Sequence, residues 1–182
     1  NGWSKDQKVI GFIGRLSEQK RPVTFLEIAK KISLLGDFAF YMIGTGHLKK
    51  SVEKFISRNG LTNRVALFDY RHDINKILAS TDLLLAPSLY EGAPLTILEA
   101  LSAGARVIAS DVGAIKEYVQ EHSVLIPHTS QNKEIDDFVN SSMEIACLDT
   151  DQSQTINYIR NNFDIGQTSD EYEYEFNDIL HR

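Results

Sequence analysis

A chain of 182 residues, 42% of them hydrophobic, can bury a real core and falls in the size range of one domain, with no room for a second. A formal charge of -6 with no basic stripe to offset it excludes a general nucleic-acid binder. The longest apolar runs are strand-length, far short of the roughly 20 residues that a bilayer span requires.

The chain opens at Asn1 rather than Met and carries no signal peptide, as expected of a fragment; the single Cys147 precludes an internal disulfide and fits a reducing compartment. The first element is a β-rich run at 9–13 closed by Gly14, then a basic loop carrying Arg15 and Lys20 that ends at Pro22, a residue suited to open a helix. Over 22–35, Phe25, Ile28, Ala29 and Ile32 recur at three- and four-residue spacing, which marks a core-facing helix. FAFYMIGTG gives a strand over 38–43 and a turn in which Gly44 lets backbone approach a ligand closely. Lys49 stands where a dinucleotide G-x-G-x-x-G needs its third glycine, which argues against a nicotinamide or flavin site. A helix over 47–59, a strand over 65–68 and a helix over 74–80 follow. TDLLLA, ending at Pro87, predicts a buried strand over 82–86. Pro94 in a first turn, leucines 95, 98 and 101 at helical spacing and Gly104 as cap predict a helix over 94–103. Strands over 106–109 and 124–126 and helices over 133–147, 153–161 and 168–180 complete the alternation. The pattern predicts an α/β fold: a Rossmann-like, doubly wound parallel sheet of about six strands with helices on both faces.

In such a fold the loop after 82–86 lies at the carboxyl end of a parallel strand, and the helix behind it offers unpaired N–H groups and a positive dipole end. The main-chain donors of Leu95, Thr96 and Ile97 are therefore candidates for phosphate contacts. Arg15 adds a planar fork that takes two oxygens and Lys20 a point charge. Charge-assisted hydrogen bonds of this kind contribute about 1.5–3 kcal/mol each. Glu91 precedes the helix, and Glu99 lies within it, about one turn past those donors. A carboxylate beside an anion site repels the anion, so its use there is to accept hydrogen bonds from sugar hydroxyls. The plainer reading makes Glu91 a solvated loop residue, Glu99 a surface charge, and Arg15 and Lys20 ordinary solvated cations.

Glu91 and Glu99, within PSLYEGAPLTILEALSAGARVIASD, resemble the E-x7-E signature of the retaining, family-4 glycosyltransferases of GT-B fold. The segment from Gly14 to Lys20 is similar to that family's G-R-L...K, and DVGAIKEYV to its D-x-G-G-x-x-E, with Ala114 for the second glycine. With the Gly44 turn and the loop after 65–68, these pieces stand in the family's order over 9–126. The resemblance implies the carboxyl-terminal, donor-binding half of a GT-B enzyme over 1–182. It places the acceptor-binding amino-terminal domain elsewhere and makes 163–182 a closing helix that packs back towards it. Glu99 would hold the ribose. Glu91, with the backbone of Gly92 and Ala93, would hold the transferred hexose. Arg15 and Lys20, with the main chain of Leu95 and Thr96, would hold the diphosphate, Gly14 and Gly44 would belong to the same donor site, and Tyr70, Arg71 and Ile74 would cup the base. Asp69, where the family often has glycine, leaves the base open, with UDP preferred. The catalytic set is Glu91, which orients the sugar, with Arg15 and Lys20 stabilising the departing diphosphate.

The partners implied are a nucleotide sugar, the acceptor-binding domain and a glycan or lipid-linked acceptor of bacterial surface polysaccharide synthesis, O-antigen or capsule. Localisation would be cytoplasmic, at the inner membrane face through the other domain only. No cofactor and no metal are expected, and the isolated domain should be inactive. Another GT-B enzyme, such as a sugar-nucleotide epimerase or a sugar-phosphate synthase, and a non-catalytic sugar-nucleotide module are the alternatives. Asp149, Thr150 and Asp151 spell a D-x-D, but late in the chain and after a helix, where carboxylates are solvated. His47, His72, His122, His128 and His181 show no zinc-site spacing.

Overall fold

The apolar runs become strands. The structure, a computed structural model, describes residues 7–119, 123–146, 148 and 151–163. The strands are β1 (Lys8–Ile13), β2 (Phe38–Ile43), β3 (Val65–Phe68), β4 (Leu83–Ala86), β5 (Arg106–Ser110) and β6 (Val124–Ile126). They form one parallel sheet in the order β3-β2-β1-β4-β5-β6. FAFYMI of β2 is buried at every position, as a strand covered on both faces must be. The helices are α1 (Pro22–Ile32), α2 (Lys49–Arg58), α3 (Ile74–Leu78), α4 (Leu95–Ser102), α5 (Ile115–Val119), α6 (Gln131–Ala146) and α7 (Ser153–Asn162).

Side chains alternate across the sheet and so divide the core in two. Ile10, Phe12, Leu83 and Leu85 pack against Phe25, Val52 and Phe138 of α1, α2 and α6. Leu84, Val107 and Ala109 face the other way, against Leu78, Ile97, Ile115 and Ile159 of α3, α4, α5 and α7. The doubly wound sheet expected from the sequence is the fold observed. Near α3 the ring of Tyr41 lies over Gly11, where a Cβ would fall 2.2 Å from a ring carbon. Its hydroxyl bonds Thr81 Oγ1 at 2.9 Å, and burial pushes the phenol up to about 12.

Element ends differ from the sequence reading where turn chemistry outweighs periodicity. The first helix ends at Ile32 rather than 35. Leu34 N–H and Leu35 N–H bond Lys31 O and Ile32 O, tightening the last turn and leaving both leucines exposed. Pro94 is the N-cap of α4 rather than a residue of its first turn, with φ -83° and ψ 57°. Helix α5 carries too few residues for periodicity to reveal it. The helix expected over 168–180, and with it most of the closing segment over 163–182, lies outside the described residues. So do Cys147, Asp149, Thr150, His122 and His181. Asp151 has a structural use: its carboxylate accepts from the N–H of Ser153 at 2.9 Å and from its Oγ at 2.7 Å, at the start of α7.

Candidate functional site

From β1 the chain winds outward through β2 to β3, and from β4 through β5 to β6 the other way, so the strand order reverses between β1 and β4. A crevice outside the carboxyl ends of the strands forms at such a point. Two loops build its walls. The first follows β1 and is stitched to the loop after β2: Gly14 N–H bonds Ile43 O at 3.0 Å, Leu16 N–H bonds Thr45 O at 2.9 Å, and Leu48 N–H returns to Leu16 O at 3.0 Å. The pairing is close enough that a Cβ on Gly44, whose φ is +154°, would lie 1.9 Å from the carbonyl oxygen of Gly14. Glycine is required there by the neighbouring loop, before any ligand is considered.

The second wall, after β4, carries Ser88 to Pro94. It is joined to the first by Leu89 N–H on Gln19 O at 2.7 Å and by Gln19 Nε2 on Tyr90 O at 2.9 Å. Between these links Lys20 Nζ donates to Glu91 Oε1 at 2.6 Å and to Oε2 at 2.7 Å, and Ser88 Oγ donates to Oε1 at 2.6 Å. Glu91 is 5% exposed, so it is not a solvated loop residue, and Lys20 is not a free cation. The Glu91 carbonyl is held in turn by the loop after β5: Ala114 N–H donates to it at 3.0 Å, and Gly113 passes so near that a Cβ would lie 2.0 Å from that oxygen.

Three concavities adjoin along this edge. A small one of about 90 Å³ is lined by Lys20, Ser88, Glu91, Ala93, Leu95 and Thr96, among others. A larger one of about 510 Å³ holds Gly14, Arg15, Gly44, Tyr70, Arg71 and Ile74 and shares Ile13 with the first. The third, of about 390 Å³, contains Glu99 with Asn75 and Arg160 and shares Leu95 with the first. The structure thus separates the sequence-predicted residues into three neighbouring groups. Only Gly92 lines none of these concavities, and a Cβ there would meet nothing within 4 Å.

Electrostatic availability differs among them. Arg15 is exposed and its side chain has no hydrogen-bond or ion-pair partner among the described residues, so its guanidinium is open to an anion. Arg71 is committed: it grips Asp73 through Nε at 2.8 Å and Nη2 at 2.6 Å and lies over the Phe68 ring. That pairing holds the guanidinium above its ordinary value and the Asp73 carboxyl below it. Tyr70 is 75% exposed and stands edge-on to His72, which leaves an aromatic surface at the mouth of the larger cavity. Desolvation raises the Glu99 carboxyl above the usual range. Of the three helical donors expected from the sequence, Leu95 N–H bonds Ala93 O and Ile97 N–H bonds Pro94 O, both at 2.9 Å. Thr96 N–H alone of the three has no acceptor among the described residues. The difference follows from Pro94 acting as the cap, which turns its own carbonyl towards Ile97 and Leu98.

Sequence reasoning missed Ser88 as the donor that fixes Glu91, and Gly113 as the backbone support behind it. The glycine in DVGAIKEYV was the available signal for the second. For the first only the three-residue spacing from Ser88 to Glu91 offered one.

A doubly wound parallel sheet with an open crevice at its switch point, flanked by cations and a buried carboxylate, defines a Rossmann-like domain. The family model for glycosyl transferases group 1 matches residues 1–161, and the chain belongs to that family. Among its relatives, the UDP-Gal:alpha-D-GlcNAc-diphosphoundecaprenol alpha-1,3-galactosyltransferase of Escherichia coli is 31% identical over 188 residues. That match covers 98% of this chain and 48% of the relative. The lipopolysaccharide core biosynthesis mannosyltransferase LpsB of Rhizobium meliloti is 32% identical over 126 residues, covering 65% of this chain and 35% of that one. Among solved structures, the pneumococcal O-GlcNAc transferase GtfA in complex with UDP and GlcNAc superposes with a TM-score of 0.83 at 17% identity. It covers 98% of this chain and 38% of the other. Anabaena HepE in complex with UDP and glucose gives 0.79 at 22% identity, covering 94% and 48%. The fold is therefore that of a GT-B glycosyltransferase domain, and the chain spans between about a third and a half of the length of each of these proteins.

Proposed function

We propose that this chain is the donor-binding half of a retaining glycosyltransferase that moves a hexose or N-acetylhexosamine from a nucleotide diphosphate sugar, UDP first, to a glycan or lipid-linked acceptor. The observation that carries the reading is the buried Glu91, held by Lys20 and Ser88, in the crevice at the strand-order reversal. A diphosphate reaching this crevice would meet Arg15, Lys20 and the Thr96 N–H. Its negative charge then shares Lys20 with Glu91, and the carboxylate oxygens so released accept hydrogen bonds from the sugar. The base would occupy the larger cavity against Tyr70, and the ribose would bond Glu99.

In the reaction the bond from the anomeric carbon to the phosphate oxygen breaks while an acceptor oxygen attacks from the same face. The leaving phosphate takes the acceptor's proton, so no side-chain base is required. Arg15, Lys20 and the α4 terminus stabilise the charge that grows on the diphosphate without reorganisation. Metal independence is part of this proposal, as is an acceptor bound by the rest of the protein. The E. coli relative is named for a diphosphoundecaprenol-linked acceptor, which supports a role in surface polysaccharide assembly at the inner face of the cytoplasmic membrane. Among the described residues no helix is long and apolar enough to cross a membrane.

Calorimetric titration with UDP, GDP and ADP tests the reading. UDP should bind selectively, and Arg15→Ala and Glu99→Ala should each weaken it by about tenfold, the loss of one charged contact. A chain that binds none of the three at millimolar concentration would overturn it. The Glu99 carboxyl also sets a pH dependence. A ribose hydroxyl donates to the ionised form, and the raised value means that protonation begins at higher pH than for a free glutamate. UDP affinity should therefore fall as the pH drops through that raised value, and Glu99→Gln should remove this component while leaving the titration of the phosphate itself.

A further inference from the structure

Arg21, next to Lys20, has φ 50° and is the only non-glycine residue with positive φ among the described residues. A side chain in this conformation is strained and persists only where its surroundings hold it. Arg21 ends the turn that carries Lys20, its N–H bonding Ser17 O and Glu18 O, and it caps α1, its carbonyl accepting from Phe25 N–H. Its guanidinium is turned inward, where Nη1 donates to Glu134 Oε1 at 2.7 Å. Glu134, on the first turn of α6, is fully buried, and Ser110 Oγ at the end of β5 donates to the same oxygen at 3.1 Å. The second oxygen, Oε2, accepts no hydrogen bond among the described residues and lies 3.5 Å from His128 Nδ1.

This is a costly way to join α1 to α6. Apolar side chains of similar volume usually stabilise such a place as well or better, so a buried pair is weak support for a stabilising role and fits a positioning one. Neither Arg21 nor Glu134 lines the three concavities. What they share is the Lys20 turn, which is fixed on its other side by Gln19 to Leu89 and Tyr90. We propose that Arg21 and Glu134 are a positioning pair. They hold the backbone of the Lys20 turn in a strained conformation from behind, so that the Lys20 ammonium stands where a donor diphosphate takes it. The inference rests on the nucleotide-sugar reading of the crevice.

The test removes the network whole, as Arg21→Gly/Ser110→Ala/Glu134→Leu. Glycine accepts the positive φ, and no buried charge is left behind. Hydrogen exchange at the Leu89 amide, which donates to Gln19 O, reads the turn without any ligand, and the Met42 amide in β2 reads the sheet. Leu89 should lose protection by about tenfold or more while Met42 keeps its own, as local opening does. The UDP dissociation constant should rise by about tenfold, a factor that corresponds to one lost charge contact. Unchanged protection at Leu89, equal losses at Leu89 and Met42, or lost protection with unchanged UDP affinity would each overturn the proposal. Should the triple variant fail to fold, Arg21→Gly/Glu134→Gln, which removes the ion pair, keeps an acceptor for Ser110 and leaves no buried charge, carries the same readouts, and no local change in it would be equally fatal. If the parent chain itself binds no UDP, the nucleotide reading falls, while the exchange measurement still decides whether the pair places the turn.

Discussion

Lys20→Met is expected to lower the unfolding free energy by about 2–3 kcal/mol and to remove most affinity for a nucleoside diphosphate. Glu91 is 5% exposed and receives three hydrogen bonds, two of them from Lys20. Without the ammonium, a buried carboxylate keeps only the Ser88 hydroxyl. Removing one partner of a fully buried pair costs about 3–5 kcal/mol; the Lys20 side chain is 27% exposed, so water replaces part of what is lost and the cost falls to about 2–3 kcal/mol. Glu91→Gln should behave differently. The amide keeps the shape and an acceptor for Ser88, so stability falls by about 1 kcal/mol. Lys20 is then released from its carboxylate, so UDP binding should be retained or strengthened while the preference for UDP-hexose over UDP declines. Urea denaturation with an unchanged slope and parallel titrations with UDP and UDP-glucose measure both effects. Equal losses of UDP affinity in the two variants would show that Lys20 and Glu91 act as a structural unit and that the diphosphate does not take Lys20 from its partner.

The alternation of strands and helices was legible because the inner strands β2, β4 and β5 are buried on both faces over most of their length and read as apolar runs. β2 is the clearest instance, buried along its whole length. The ends of helices were less so, since Leu34 and Leu35 continue the apolar pattern of α1 while the chain has already turned. At the site, the residue types were readable from the loops that carry them. Their partners were not, because those lie far along the chain: Lys20 meets Glu91 71 residues on, and Arg21 meets Glu134 113 residues on. A short motif records which side chain is present. Whether its charge is free, as at Arg15, or already committed, as at Arg71, is decided by the fold.

Gly113→Ala should disturb the crevice more than any surface substitution near it, although residue 113 lines none of the three concavities. Two costs combine. The φ of +57° is one that alanine adopts at a penalty of about 1–2 kcal/mol. Its Cβ would also fall 2.0 Å from the Glu91 carbonyl oxygen, a backbone atom that cannot rotate away. The Glu91 loop must shift, and the hydrogen bond from Ala114 N–H, now 3.0 Å, is lost with it, for a further cost of about 1 kcal/mol. Gly60 supplies the control, because its φ of +68° is similar and a Cβ there meets nothing within 4 Å. Gly60→Ala should therefore show the conformational penalty alone, leaving nucleotide-sugar binding as it was. Gly92→Ala, with open space and no positive φ, should leave stability unchanged. Denaturation of the three variants beside titration with UDP-glucose separates the terms. If Gly113→Ala matches Gly60→Ala in both measurements, the loop after β5 does not support Glu91. If it loses sugar-nucleotide affinity beyond its loss of stability, the carbonyl of Glu91 is held from behind so that the carboxylate in front of it stays in place.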